Sequence, residues 1–194
     1  MTKKNNKNEE FAHFEQLSKE WWNQNGKFRI LHTLTPLRIK YIKDNINTKK
    51  INNIEYNKIL RGIEILDLGC GGGLVCEPLA RLGAKVTGLD FIKQNIEIAK
   101  NHAKISKLNI KYINQDLFSI KLKKKYDIIL MLEVIEHIDE WKKIINKIVR
   151  YLKPKGKIIF STINRNIFSR IFAIYLAEEI LGWVPKKTHN YNQL

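Results

Sequence analysis

From Ile63 onward the chain alternates short apolar runs with stretches whose apolar residues recur every three or four positions. The short runs, at 63–68, 85–89, 110–114, 126–132 and 157–162, read as buried strands. The helical stretches fall at 74–82, 92–106 and 141–152, and Lys153-Pro154-Lys155-Gly156 reads as a turn before the last strand. Strands separated by helices predict an α/β fold with a doubly wound parallel sheet. Right-handed crossovers carry the loop-bearing strand ends to one edge, so Gly69, Asp90, Asp116 and Leu132 should border one crevice. Before Ile63 the pattern is helical. Phe11, Phe14, Leu17 and Trp21 share one face of a helix over about 9–22, and Asn25-Gly26 stops it. Pro36 suits the first turn of a second helix that runs to about Ile46. Residues 1–8 read as a disordered tail and 47–61 as a polar connector. The expected division is an N-terminal helical cap over 1–60 and an α/β core over 61–194.

The first strand of the core breaks into Asp67-Leu68-Gly69-Cys70-Gly71-Gly72-Gly73. Glycines there let the backbone turn tightly and approach a ligand closely. A dinucleotide fingerprint would need its third glycine where Leu74 stands, and no Gly-Lys-Ser/Thr phosphate loop follows. The next strand closes on Asp90, whose carboxylate can accept both hydroxyls of a ribose. A ligand with a ribose and no pyrophosphate fits this pair. The two motifs resemble the S-adenosylmethionine site of class I methyltransferases, which have a Rossmann-like sheet.

Composition narrows the setting. A chain of 194 residues suits one core. The polar start is no secretory signal, and the apolar stretch at 167–176 is interrupted by Ser169 and Arg170, too short to span a bilayer. Cys70 and Cys76 sit in and just after the glycine loop, not in a disulfide framework or zinc site, so a reducing cytoplasm is expected. The net charge of +16 favours anionic surfaces. The lysines are scattered rather than gathered on one helix, and no specific nucleic-acid partner is expected.

Three further stretches carry candidate chemistry. Asp116, after the third strand, can accept from an adenine amino group or can simply cap a turn. After the fourth strand, Leu132 borders the cofactor crevice and Glu133, Glu136 and His137 share one loop. Two carboxylates suit magnesium, and a histidine ligand suits other divalent metals better. Alternatively His137 is a general base, or the group only shapes the loop. Last, 166–183 reads as a helix apolar over most of its circumference, flanked by Arg165, Arg170, Lys186 and Lys187. It is either a core helix or a hydrophobic lid that lies on a membrane surface.

Taken together, these stretches resemble the ubiquinone-biosynthesis O-methyltransferase family, which methylates polyprenyl catechols and demethylubiquinol. The resemblance spans residues 11–191. It rests on Trp21-Trp22, Pro36-Leu37-Arg38, the glycine loop, Asp90, Glu133-Val134-Ile135-Glu136-His137, Asn164-Arg165-Asn166 and Val184-Pro185-Lys186-Lys187-Thr188-His189. It implies cofactor contacts at Arg38, Gly69, Asp90 and Leu132, and ligation of a divalent ion such as Mg2+ by Glu133, Glu136 and His137. A guanidinium such as Arg38 can hold the methionine carboxylate bidentately. The resemblance further implies a polyprenyl catechol or quinol substrate and other ubiquinone-biosynthesis proteins as partners. The implied location is cytoplasmic, peripheral to the inner membrane. Family members continue past His189 with more strands, so the C-terminal strands of the sheet are expected to be missing, with an open edge. The rival readings are another class I methyltransferase, acting on a small molecule or RNA, and a truncated cofactor-binding remnant without turnover.

Overall fold

The structure, a computed structural model, describes residues 17–46 and 58–162. Helix α1 (Arg29–Asn45) leads into β1 (Glu64–Leu68), α2 (Cys76–Arg81), β2 (Lys85–Asp90), α3 (Lys93–Ile105) and β3 (Lys111–Asn114). Then come β4 (Tyr126–Leu132), α4 (Trp141–Ile148) and β5 (Leu152–Ser161). The strands form one sheet in the order β3-β2-β1-β4-β5, and every neighbouring pair is parallel. The order reverses between β1 and β4, the place where open α/β sheets leave a crevice at their carboxyl ends.

Alternation along the strands divides the core in two. Ile65, Ile128 and Leu130 face one side with Leu79 of α2, Ile96 and Ala99 of α3 and Ile42 of α1. Leu66, Ile129 and Met131 face the other side with Ile144 and Ile148 of α4. Both faces are therefore covered, which explains why β1 and β4 read as continuous apolar runs.

Four expectations need correction. The second N-terminal helix begins at Arg29, and Pro36 lies inside it. Thr33 Oγ1 donates to Arg29 O at 3.2 Å and Thr35 Oγ1 to Leu31 O at 2.7 Å, so hydroxyls serve carbonyls in the turn around the proline. Of the residues expected in the first helix, Ser18–Glu20 form a 3-10 turn. The connector is not polar throughout, because Leu60 is fully buried in the core. Finally, Lys153-Pro154-Lys155-Gly156 does not precede β5 but bulges within it. Tyr126 pairs with Leu152 and Ile128 with Lys157, so the intervening residues leave the ladder, with Lys155 at φ +65°. The expected tail 1–8, most of the helix over 9–22 and the lid over 166–183 lie outside the described residues.

Candidate active site

The crevice is built on backbone pairing. Leu68 and Leu89 are register partners, and the chain leaves β1 directly into the glycine loop. Gly69 N and Cys70 N both donate to Leu89 O, at 2.7 and 3.0 Å, which pins the loop to the end of β2. Gly71 sits at φ +52°, and a Cβ there would collide with the Trp21 ring. Only glycine combines that backbone with that neighbour.

Asp90 ends β2 and is buried. Its Oδ2 accepts from Gly71 N at 2.9 Å, and its Oδ1 accepts from Ile92 N at 2.8 Å and Asn95 Nδ2 at 3.4 Å. Burial raises its pKa against the pull of those donors. The carboxylate is thus held in one orientation beside the loop. Beneath the loop, Asp67 accepts from Cys76 Sγ at 3.2 Å, and burial pushes its carboxyl up to about 7.

The structure carries the other sequence-predicted residues to the same edge in different states. Leu132 ends β4 and pairs in register with Ser161. Asp116 is exposed and caps the 3-10 turn Leu117–Ser119 through Phe118 N at 2.6 Å. Arg38 of α1 reaches across 95 residues of sequence to ion-pair with Glu133 Oε2. The other Glu133 oxygen accepts from Ser161 Oγ at 2.7 Å. Glu133 itself stands at φ +52°, a strained backbone for a non-glycine residue.

The three-ligand metal centre is therefore not assembled here. Both Glu133 oxygens are engaged by Arg38 and Ser161. Glu136 has a buried Oε2 with no hydrogen-bond partner, and burial raises its pKa. His137 is exposed. Among the described residues, no three His, Cys, Asp or Glu side chains are gathered as an ion would require.

Asn95 and the place of the tryptophans lie outside the sequence-predicted set. Asn95 is a polar residue, 3% exposed, in the first turn of α3 next to the apolar stripe Ile96, Ala99 and Ala103. That break in an apolar face was the available signal.

Comparisons with known proteins agree with this geometry. A family model described as a methyltransferase domain matches residues 40–193. The chain is 44% identical over 184 residues to the ubiquinone biosynthesis O-methyltransferase of Pelagibacter ubique, covering 95% of this chain and 76% of that protein. It is 44% identical to the protein of the same name from Rickettsia canadensis, covering 95% and 75%. Among solved structures, magnesium protoporphyrin IX methyltransferase from Synechocystis with bound S-adenosylhomocysteine superposes with a TM-score of 0.61 at 21% identity. That match covers 84% of this chain and 67% of the other, and it supports the fold alone. The chain has the class I, Rossmann-like methyltransferase fold and belongs to the ubiquinone biosynthesis O-methyltransferase family.

Proposed function

We propose that this chain transfers a methyl group from S-adenosylmethionine to a ring hydroxyl of a polyprenyl catechol or demethylubiquinol. The observation that carries this reading is an oriented carboxylate, Asp90, locked to the glycine loop in a chain of this family. When bound, S-adenosylmethionine supplies an electrophilic methyl on a sulfonium.

The chain's own residues then have distinct tasks. Asp90 accepts the ribose hydroxyls, and Gly69 lets the backbone come close. Asp116 offers its second oxygen to the adenine amino group, and Leu132 borders the ring system. Arg38 turns its guanidinium to the methionine carboxylate, and Glu133 holds that guanidinium at the crevice until then. His137, exposed at the same edge, takes the proton from the substrate hydroxyl as its oxygen attacks. Positioning of the two reactants is the main contribution. As the side chains stand, Glu133, Glu136 and His137 do not fit a divalent ion, and no step is assigned to one.

Methyl transfer from labelled cofactor to a short-chain polyprenyl catechol tests the reaction. His137→Ala should lower the rate by about 10²–10⁴-fold and leave S-adenosylhomocysteine affinity unchanged. A variant that turns over like the wild type would remove His137 from the chemistry. A chelator arm separates a bare base from a metal-assisted one. Loss of turnover that magnesium restores would mean that Glu133 leaves Arg38 to join Glu136 and His137.

The substrate's tail suits work at a membrane surface. No helix of the described residues is long and apolar enough to cross a membrane. The net charge of +16 favours anionic lipid, with about 1 kcal/mol for each basic residue near the surface. The protein should sediment with anionic vesicles and be released as salt rises. Phe168→Ser with Phe172→Ser, in the segment read as a lid, should weaken attachment further. Equal binding to neutral vesicles would refute the electrostatic part.

A further inference from the structure

We propose that residues 17–22 form a strap over the cofactor loop, and that Asn95 is the positioning residue through which this strap sets Asp90 for the ribose. The inference rests on the reading of Asp90 as ribose acceptor given above.

The strap meets the site at two points. At the first, Asn95 Oδ1 accepts from Ser18 Oγ at 2.7 Å and from Trp21 Nε1 at 2.8 Å. Those two donors fix the amide's orientation, because its oxygen must face them. Its Nδ2 is thereby turned to the Asp90 carboxylate, on Oδ1 at 3.4 Å. Asn95 is nearly inaccessible, and a buried amide stays only where its hydrogen bonds are made. Here every partner belongs either to the strap or to Asp90.

At the second point, Trp22 Nε1 donates to Gly72 O at 3.0 Å, inside the glycine loop. The Trp22 ring lies flat on His102, with centroids 3.4 Å apart and planes within 5°. His102 Nδ1 is 2.6 Å from Oε1 of Glu77, a buried carboxylate in the helix that follows the loop. Trp21 packs so closely on the loop that a Cβ at Gly71 or Gly72 would collide with its ring. That indole also stacks on Phe28, with ring centroids 4.0 Å apart. The strap is tied as well to α1, the helix of Arg38, by His32 Nε2 and Trp21 O at 2.9 Å.

The physical consequence is preorganisation. A ribose gains most from an acceptor that needs no reordering on binding. Gly71 N and Ile92 N orient Asp90 from the loop and its own strand end, and Asn95 adds the orientation that depends on the strap.

Calorimetric titration with S-adenosylhomocysteine tests this on the full chain. Asn95→Leu should weaken binding about tenfold. Trp22→Phe keeps the ring on His102 and deletes the bond to Gly72, and should weaken binding about threefold. In an Asp90→Ala background, which leaves Asn95 no carboxylate to orient, the Asn95→Leu penalty should shrink to less than about twofold, since contacting residues that act through one another are not additive. A full, additive penalty in that background would make Asn95 merely structural and overturn the proposal. So would wild-type affinity in Asn95→Leu. If Asn95→Leu does not fold, Ser18→Ala and Trp22→Phe decide the matter, and unchanged affinity in both overturns it. Wild-type protein that binds no S-adenosylhomocysteine would instead fail the methyltransferase reading itself.

Discussion

Replacing Asp90 with alanine should cost the protein its cofactor. The proposed bonds from Asp90 to two ribose hydroxyls would contribute about 1.5–3 kcal/mol each, so S-adenosylhomocysteine affinity should fall by about a hundredfold or more. The substitution also removes the acceptor that ties Gly71 N of the loop to the end of β2 and leaves Ile92 N without its partner. Asp90→Asn keeps one oxygen acceptor and should lose less. The comparison of the two variants separates the charge from the shape of the site. Titration calorimetry beside a thermal melt is the measurement. A folded Asp90→Ala protein with wild-type affinity would remove Asp90 from the cofactor site. Neither variant nor wild type should take up NAD, because Leu74 stands where a third fingerprint glycine would be needed.

Much of this site was legible in the sequence for a simple reason. Strands buried on both faces cannot afford polar residues, so Asp67 and Asp90 announce where β1 and β2 reach the sheet edge. Asp90 does stand beside the glycine loop, as the strand–loop–helix pattern requires. What periodicity could not report is side-chain direction. Glu133, Glu136 and His137 are close in sequence, yet the left-handed backbone at Glu133 sends its carboxylate to Arg38 and Ser161. That ion pair joins positions too far apart for any local pattern to relate. A proline reads as a first-turn residue, yet α1 begins at Arg29 with Pro36 inside it, and hydroxyls of Thr33 and Thr35 serve carbonyls around it. Asn95 breaks an apolar face, but its role depends on Ser18 and Trp21, which lie 77 and 74 residues away in sequence where no local pattern relates them.

The folding stability should depend on pH through a residue that never leaves the core. Asp67 lies under the glycine loop, 3% exposed, and its carboxyl moves from an ordinary 3.8 to about 7. Burial is the chief cause, opposed by the Cys76 hydrogen bond and the charge of Arg38 and reinforced by the charges of Asp90 and Glu133. Between those two values the native state still binds a proton that the unfolded chain has released. Stability must then fall as pH rises through this window, by on the order of 4 kcal/mol once Asp67 is ionised in both states. Asp90 and Glu136 are raised in the same direction, again by burial, and add to the slope. Asp67→Asn carries no charge at any of these values. Its stability should match the wild type near pH 4 and exceed it at pH 8, leaving a shallower slope from the other two acids. Urea unfolding at the two pH values measures the difference. An equal gain at both would mean that the substitution acts through packing and not through the proton. Arg38→Met offers the converse check. Loss of that cation should raise Asp67 further, so the variant's stability should go on falling to higher pH than the wild type's.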